Sequence, residues 1–194
     1  MTLTQSTTTT VEQSLPDVER AAHHARGFLE ALGVDLSGPA RRQSPMRMAT
    51  AYLEMMSSDP FEMTTFDNDE GYAELVLMTD IPVQSLCEHH FLPFTGVAHV
   101  GYVPADRLVG LSKLARTVET FAHRPQTQEN LTQQIADHLT AALAPRGVGV
   151  VIEAEHTCMS LRGVRTSGAR TRTSAFTGDL RAAAARAEFL AALN

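Results

Sequence analysis

Residues 86–103 read Leu-Cys-Glu-His-His-Phe-Leu-Pro-Phe-Thr-Gly-Val-Ala-His-Val-Gly-Tyr-Val and join a metal-ligand spacing to a strand pattern. The valine-rich second half, residues 96–103, is bounded by glycines and by Pro104, which predicts a β-strand. Just before it, Cys87 and His90 stand at the short Cys-x-x-His spacing that a single turn folds around one ion. The stretch therefore predicts a metal-binding turn followed by a strand.

The other cysteine lies in a second histidine-containing stretch, His156-Thr157-Cys158, which follows a β-branched run at residues 148–154. Side chains two positions apart in a strand face the same way, so an extended chain points His156 and Cys158 into one site. Thiolate and imidazole are preferred zinc ligands, and three protein ligands leave a fourth tetrahedral position for water. Cys87, His90 and Cys158 therefore predict a catalytic zinc site in a hydrolytic metalloenzyme.

Two alternatives exist for the cysteines. Each can be a small buried hydrophobic residue, or Cys87 and Cys158 can form a disulfide. No basic segment followed by an apolar run opens the sequence, so no signal peptide or oxidising compartment is expected. Because both cysteines lie beside histidine, zinc binding is favoured over both alternatives.

The rest of the chain alternates between helical and strand patterns. Apolar residues recur at helical spacing in five stretches, at residues 17–32, 44–56, 111–124, 127–143 and 180–193. Strand patterns occupy residues 72–78, 96–103, 148–154 and 166–177. This order predicts an α+β fold with an antiparallel sheet backed by two helices, preceded by an N-terminal helical segment.

Three divisions of the chain are predicted. Residues 1–14 are rich in Thr and Gln and have too little apolar content to pack, which indicates a disordered tail. Residues 15–60 form the N-terminal helical segment, and residues 61–194 form the catalytic domain.

The composition excludes several kinds of partner. A net charge of −6 over 194 residues leaves no global basic field, so no nucleic-acid partner is expected. Hydrophobic residues make up 43% of the chain, enough for a core, yet no apolar run is long enough to cross a bilayer. No membrane partner is expected either, and an anionic ligand requires a local positive cluster.

One such cluster is predicted around Lys113, the single lysine of the chain. Lys113 and Arg116 stand three residues apart on a predicted helix, so their charged ends reach the same patch. Ser112 precedes them, where a hydroxyl can bind an oxyanion, and Arg162 follows the second cysteine by four residues. Together these side chains suit a polyphosphate, although a solvated helix face is the alternative for Lys113 and Arg116 alone.

Four further polar positions belong to the expected site. His156 stands beside a metal ligand and titrates near neutral pH, which suits proton transfer; the alternative role is to orient a ligand. His89 is expected beside the metal water or the substrate. Gln128 and Glu129 open a predicted helix. A buried Glu129 carboxylate there can accept two hydrogen bonds from a guanine edge, and complementing the helix dipole is the alternative.

Four motifs closely resemble those of the GTP cyclohydrolase I family. They are Leu-Cys-Glu-His-His-Phe-Leu-Pro-Phe at residues 86–94, Gly-Leu-Ser-Lys at 110–113, Arg-Pro-Gln-Thr-Gln-Glu-Asn-Leu-Thr at 124–132 and His-Thr-Cys-Met-Ser-Leu-Arg-Gly-Val at 156–164. The likeness extends from about Ser44 to the Arg-Ala-Glu-Phe-Leu run at residues 186–190. Four motifs in the right order make this resemblance highly specific.

The resemblance implies the tunnelling fold and a toroidal homodecamer of two pentameric rings, with active sites at the subunit interfaces. It implies Zn²⁺ as the cofactor and GTP as the substrate. The implied reaction converts GTP to 7,8-dihydroneopterin triphosphate and formate, the first step of pterin and tetrahydrofolate biosynthesis, in the cytoplasm.

The resemblance also implies a role for each matching residue. Zinc would be bound by Cys87, His90 and Cys158. Its water would attack C8 of guanine while His156 protonates the imidazole nitrogen as the ring opens. The other implied contacts are His89 beside the metal water and ribose, Gln128 and Ser112 at the sugar region, Glu129 at the guanine edge, and Lys113, Arg116 and Arg162 on the triphosphate.

Three positions depart from the family pattern. Asn130 stands where arginine is common, and Arg170 and Arg172 interrupt a stretch that is usually rich in Ser and Thr. None of these removes a catalytic group. Two alternative functions stay open: a paralogue that opens GTP for a deazapurine or other specialised pathway, and a non-catalytic GTP-binding zinc module. His89 and His156 argue against the module, because structural zinc has no use for a proton carrier.

Overall fold

The computed structural model describes residues 15–193, which divide into two compact units between Leu53 and Glu54. The first unit contains helix α1 (Val18–Ala31) and most of helix α2 (Ser44–Met55). The Asp17 side chain accepts a hydrogen bond of 2.9 Å from the backbone N–H of Arg20, which fixes the start of α1. The predicted disordered tail at residues 1–14 lies outside the described residues, and the predicted division at residue 60 stays a prediction.

The second unit is built on a five-stranded sheet and a separate two-stranded ribbon. Its strands are β1 (Thr65–Asp67), β2 (Val76–Cys87), β3 (Pro93–Val103), β4 (Arg107–Val109), β5 (Pro125–Gln126), β6 (Gly147–His156) and β7 (Thr171–Phe176). The sheet order is β5-β2-β3-β6-β7, and β1 pairs with β4. Every pair is antiparallel except the short β2–β5 pair, which is parallel.

Four helices complete this unit: α3 (Leu111–Ala122), α4 (Gln128–Leu143), α5 (Thr157–Ser160) and α6 (Ala183–Ala191). The pattern at residues 180–193 predicted one continuous helix, but a 3₁₀ turn at Gly178–Arg181 precedes α6. Ala182 separates the two, because its ψ of 138° is extended rather than helical. The predicted strand at residues 166–177 is also shorter than expected, since only its second half pairs with β6.

The two faces of the sheet bury different side chains. Helices α3 and α4 pack on one face through apolar residues at helical spacing, which are Leu114, Val118, Leu131, Ile135 and Leu139. The other face carries a smaller apolar cluster that includes Phe176 and, from α6, Phe189. The predicted α+β class, with an antiparallel sheet backed by two helices, is confirmed. Among the described residues, no helix has both the length and the apolar character that a bilayer span requires.

Candidate metal and catalytic site

Three predicted metal ligands meet at one end of the sheet. Cys87 is the last residue of β2, His90 lies in the turn that follows, and Cys158 lies in the short helix α5. One ligand atom from each of the three lies within 4.8 Å of those of the other two. The Sγ atom of Cys87 is 3.9 Å from Nδ1 of His90. Two thiols and an imidazole at these separations suit a single zinc ion.

Backbone hydrogen bonds fold the turn that carries His90. The Cys87 N–H donates to the Leu92 carbonyl at 2.9 Å, and the Phe91 N–H donates to the Cys87 carbonyl at 2.8 Å. Phe91 adopts a left-handed conformation with a φ of 53°, which reverses the chain within a few residues. The turn therefore returns His90 towards Cys87 before β3 begins.

Strand register brings the second cysteine to this turn. β3 and β6 pair antiparallel with Phe94 opposite His156, so the end of β6 lies beside the start of β3. The Thr157 hydroxyl donates to the Pro93 carbonyl at 2.6 Å and holds the chain where it leaves the strand. The prediction that Cys158 continues the strand is wrong, because the chain turns into α5 after His156. Both side chains nevertheless line the same cavity.

That cavity encloses about 300 Å³. Its lining residues are Cys87, His89, His90, Gln126, Thr127, Gln128, Glu129, His156, Cys158, Met159 and Thr171. A larger hollow of about 590 Å³ lies near Asp67 and Tyr102, but its lining contains neither cysteine nor histidine. The smaller cavity is therefore the candidate site, since it alone of the two combines metal-binding and proton-transferring side chains.

His156 is held on two sides. Its Nε2 atom lies 2.8 Å from Oε1 of Gln128, and its ring stacks on Phe94 with 4.5 Å between centroids and 10° between planes. Burial lowers the pKa of His156, and the negative charge of Glu129 partly opposes that shift. The neutral ring is thus favoured, as a proton acceptor requires.

The two thiols are free, so the disulfide alternative is not observed. Burial raises the pKa of Cys158, and its hydrogen bond with Cys87 and the charge of Cys87 raise it further, while Arg162 acts in the opposite direction. The Cys158 thiol thus resists ionisation. A divalent cation reverses that preference, because it binds thiolates and releases their protons.

His89 and Arg162 lie beside the cluster. Nδ1 of His89 is 3.8 Å from the Sγ atom of Cys87, and the His89 side chain is exposed. One Nη atom of Arg162 lies 3.3 Å from Nε2 of His90 and donates to the Cys158 carbonyl at 3.3 Å. The predicted phosphate-binding arginine is therefore adjacent to the candidate metal ligands.

The remaining predicted residues divide into two groups. Glu129 lines the cavity from the first turn of α4, at the mouth of the cavity. Its side chain is exposed, so the prediction of a buried carboxylate is wrong for the single chain. Ser112, Lys113 and Arg116 lie in the first half of α3 and are not among the residues that line the cavity. The Lys113 ammonium instead lies 5.7 Å from the centroid of the Phe61 ring.

Some site residues escaped the sequence analysis. Phe94, which stacks on His156, lies inside a recognised motif, yet its role depends on the register between β3 and β6. Thr171 lines the cavity from β7, a strand that contains neither cysteine. No local spacing signals such contacts, because strand pairing between distant segments creates them.

The fold and the cavity together describe an α+β protein in which three candidate metal ligands lie beside a half-buried histidine. Comparison with known proteins identifies its family. The family model described as GTP cyclohydrolase I matches residues 21–194. The chain belongs to the GTP cyclohydrolase I family, and its sheet and helices are those of the tunnelling fold.

Curated relatives match over nearly their whole length. GTP cyclohydrolase 1 of Streptomyces griseus is 51% identical, with 89% of this chain and 88% of the relative covered. The protein of the same name from Aquifex aeolicus is 49% identical, with 84% and 88% covered. That from Mycolicibacterium vanbaalenii is 48% identical, with 98% and 97% covered. The similarity therefore spans the site and both compact units.

Proposed function

We propose that this protein is a metal-dependent GTP cyclohydrolase that converts GTP to 7,8-dihydroneopterin triphosphate and formate, the first step of pterin and tetrahydrofolate biosynthesis. The observation that carries the proposal is one cavity that joins the Cys87, His90 and Cys158 cluster to His156. Family membership and the names of the curated relatives support the same activity.

We assign zinc to the cluster on the chemistry of its donors. Two thiolates and one imidazole match a catalytic zinc site, which keeps its fourth position open. When bound, zinc supplies a Lewis acid that brings the pKa of its water towards neutrality. Cys87, His90 and Cys158 would hold the ion.

His156 is the proposed acid–base residue. It lines the cavity next to the cluster, and burial favours its neutral ring. A neutral imidazole can take a proton from water and return it to the purine nitrogen as the imidazole ring of guanine opens. His89, which lies 3.8 Å from the Sγ atom of Cys87, is proposed to contact the ribose and the attacking water.

We assign the substrate contacts by motif position. Glu129, at the cavity mouth, would accept hydrogen bonds from the guanine edge, and Ser112 would contact the sugar region. The motif also implies a sugar contact for Gln128, but the Oε1 and Nε2 atoms of its buried side chain both bond within the protein. Arg162 would bind the triphosphate together with Lys113 and Arg116. A guanidinium can bind two phosphate oxygens at once, and an ammonium can bind a further one. These local charges suffice for a triphosphate, so no basic surface is needed elsewhere on the protein.

A second copy of the chain is proposed to complete the site. Ser112, Lys113 and Arg116 do not line the cavity that a single chain forms. Active sites at subunit interfaces of a homodecamer, two pentameric rings, would bring these residues to a neighbouring cavity. Sedimentation equilibrium should report the mass of ten chains, and a monomer that is fully active on GTP would contradict the assembly. We place the enzyme in the cytoplasm, where its nucleotide substrate is made.

The reaction is tested by incubating the zinc-loaded protein with GTP and following formate and the pterin absorbance together. Both products should appear. Formate without pterin would indicate ring opening with a stalled closure. Bound GTP with neither product would contradict the proposal and favour the non-catalytic binding module. A deazapurine pathway would share this first reaction, so the assay addresses the chemistry and leaves the pathway aside.

Replacing Glu129 by glutamine should lower kcat/KM for GTP by about 10- to 100-fold, because a charged acceptor is lost from two hydrogen bonds. Inosine triphosphate lacks the 2-amino group that one of those bonds uses. The variant should therefore discriminate less between GTP and inosine triphosphate than the wild type does. Steady-state kinetics with both nucleotides measure this ratio.

The matched control for that variant is Glu119→Gln, an exposed position on α3 outside the cavity, which should keep wild-type kinetics. If Glu129→Gln retains the full preference for GTP, the carboxylate does not read the guanine edge.

A further inference from the structure

We propose that Gln128 is a positioning residue that fixes His156 in the tautomer with hydrogen on Nε2. A series of hydrogen bonds from Thr132 through Thr173 to the Gln128 side-chain amide holds that amide in place. The inference rests on the proposed function, because ring opening of GTP is what gives His156 a proton to transfer. It adds a role for Gln128 that does not require a contact with the substrate.

The orientation of the Gln128 amide is determined by its acceptors. Its side chain is almost fully buried, with 1% exposure, and Nε2 lies 3.0 Å from the carbonyl oxygens of Ile152 and Thr171. Carbonyl oxygens only accept hydrogen bonds, so the amide nitrogen must face them. Rotating the amide by 180° would set Oε1 against two oxygens that cannot donate a hydrogen bond, which is costly in a buried site.

Two threonines fix the remaining donor and acceptor roles. The Thr132 hydroxyl donates its single hydrogen to the backbone carbonyl of Gln128 at 2.8 Å. The Thr173 hydroxyl lies 2.6 Å from Oγ1 of Thr132 and must be the donor in that pair. Its oxygen then accepts from Nε2 of Gln128, which lies 3.0 Å away. The two amide hydrogens are shared among three acceptors, on Ile152, Thr171 and Thr173, so it is the amide nitrogen of Gln128 that faces them.

The consequence falls on His156. Oε1 of Gln128 can only accept, and it lies 2.8 Å from Nε2 of His156. Nε2 therefore carries the hydrogen of the neutral ring, and the lone pair lies on Nδ1. The parallel stack with Phe94 restrains the plane of the ring, so the position of Nδ1 is set as well. One buried amide thus decides which atom of the histidine can react.

Neutron diffraction on the wild-type protein tests the tautomer directly and does not depend on activity. We expect deuterium on Nε2 of His156, directed at Oε1 of Gln128, and two deuterium atoms on the amide nitrogen facing Ile152, Thr171 and Thr173. A neutral ring with deuterium on Nδ1 alone would overturn the inference. Inactivity towards GTP would contradict the proposed function but would not change the deuterium positions in the neutron map, so the two failures can be told apart.

Kinetics of Gln128→Met test the consequence in the zinc-loaded enzyme. Methionine keeps the length and burial but accepts no comparable hydrogen bond. The variant should lose about 10- to 100-fold in kcat, with KM for GTP and zinc content within twofold of wild type. A raised KM with unchanged kcat would make Gln128 a substrate contact and overturn the inference. Loss of zinc, or wild-type kinetics, would overturn it too.

Two further variants serve as a control and as an intermediate case for Gln128→Met. Gln133→Met changes an exposed position of the same helix, where the amide donates to Asp137 at 2.8 Å, and should behave as wild type. Thr173→Val removes the hydroxyl but leaves Gln128 its two carbonyl acceptors. It should lower kcat less than Gln128→Met does, again without a change in KM. A Thr173→Val variant more impaired than Gln128→Met would contradict the proposed order of the hydrogen bonds, in which Thr173 acts through Gln128.

Discussion

Replacing His156 by alanine is expected to lower kcat for GTP by about 10²- to 10⁴-fold, the usual contribution of a positioned acid–base residue. Zinc content should stay near the wild-type value, because His156 is not one of the three clustered ligands. Metal analysis on the same samples used for steady-state kinetics makes this comparison. The imidazole is the only group we assign to proton transfer at the purine, so no neighbouring residue should replace it.

The control for His156→Ala is His24→Ala, which removes an exposed imidazole from α1. It should keep both zinc and turnover. If His156→Ala loses zinc in parallel with activity, His156 is a ligand or scaffold residue and the proton-transfer assignment fails.

Replacing Cys158 by serine should cost both metal and activity. Loss of a residue that merely supports a ligand lowers metal affinity by about 10- to 100-fold, so loss of a ligand should exceed that range. Serine keeps the shape of the side chain but is a poor zinc ligand at neutral pH, since its hydroxyl stays protonated. Equilibrium dialysis against a zinc buffer measures the affinity, and the GTP assay measures the activity.

His89→Asn is the informative contrast to Cys158→Ser. Nδ1 of His89 lies as close to Cys87 as that of His90 does, at 3.8 Å and 3.9 Å, yet His89 is outside the ligand cluster. His89→Asn should therefore keep its zinc while Cys158→Ser loses it. Full zinc occupancy in Cys158→Ser would show that the ligand assignment is wrong.

Local patterns predicted most of the fold. The spacing of Leu131, Ile135 and Leu139 indicated α4, and the structure buries all three against the sheet. The valine-rich stretch at residues 96–103 is the second half of β3. These predictions hold because amphipathic spacing reflects the same burial that the tertiary structure requires.

The pattern was less informative where the chain changes direction. Alternation along a strand placed His156 and Cys158 on one face, yet the strand ends at His156 and the cysteine comes from a helical turn. The hydrogen bond from Thr157 to the Pro93 carbonyl holds this turn, and Pro93 is far away in sequence. Similarly, the acceptors of Gln128 belong to β6 and β7, so nothing near position 128 predicted them.

The structure also explains one departure from the family pattern. Asn130 contributes its backbone N–H to the cap of α4, where it donates to Oγ1 of Thr127 at 3.2 Å. That bond does not depend on the side chain, so the loss of arginine leaves the start of α4 intact. Arg172, another departure, forms an ion pair with Glu153 across β6 and β7. Neither residue lines the cavity.

The central claim is that one zinc ion, held by Cys87, His90 and Cys158, serves the opening of the GTP purine ring. The most direct test is to titrate metal-free protein, prepared by chelation, with zinc and to measure formate and pterin at each step. We predict that both products rise together and reach a plateau at one zinc per chain. Product formation without metal, or a plateau at a different stoichiometry, would contradict the account.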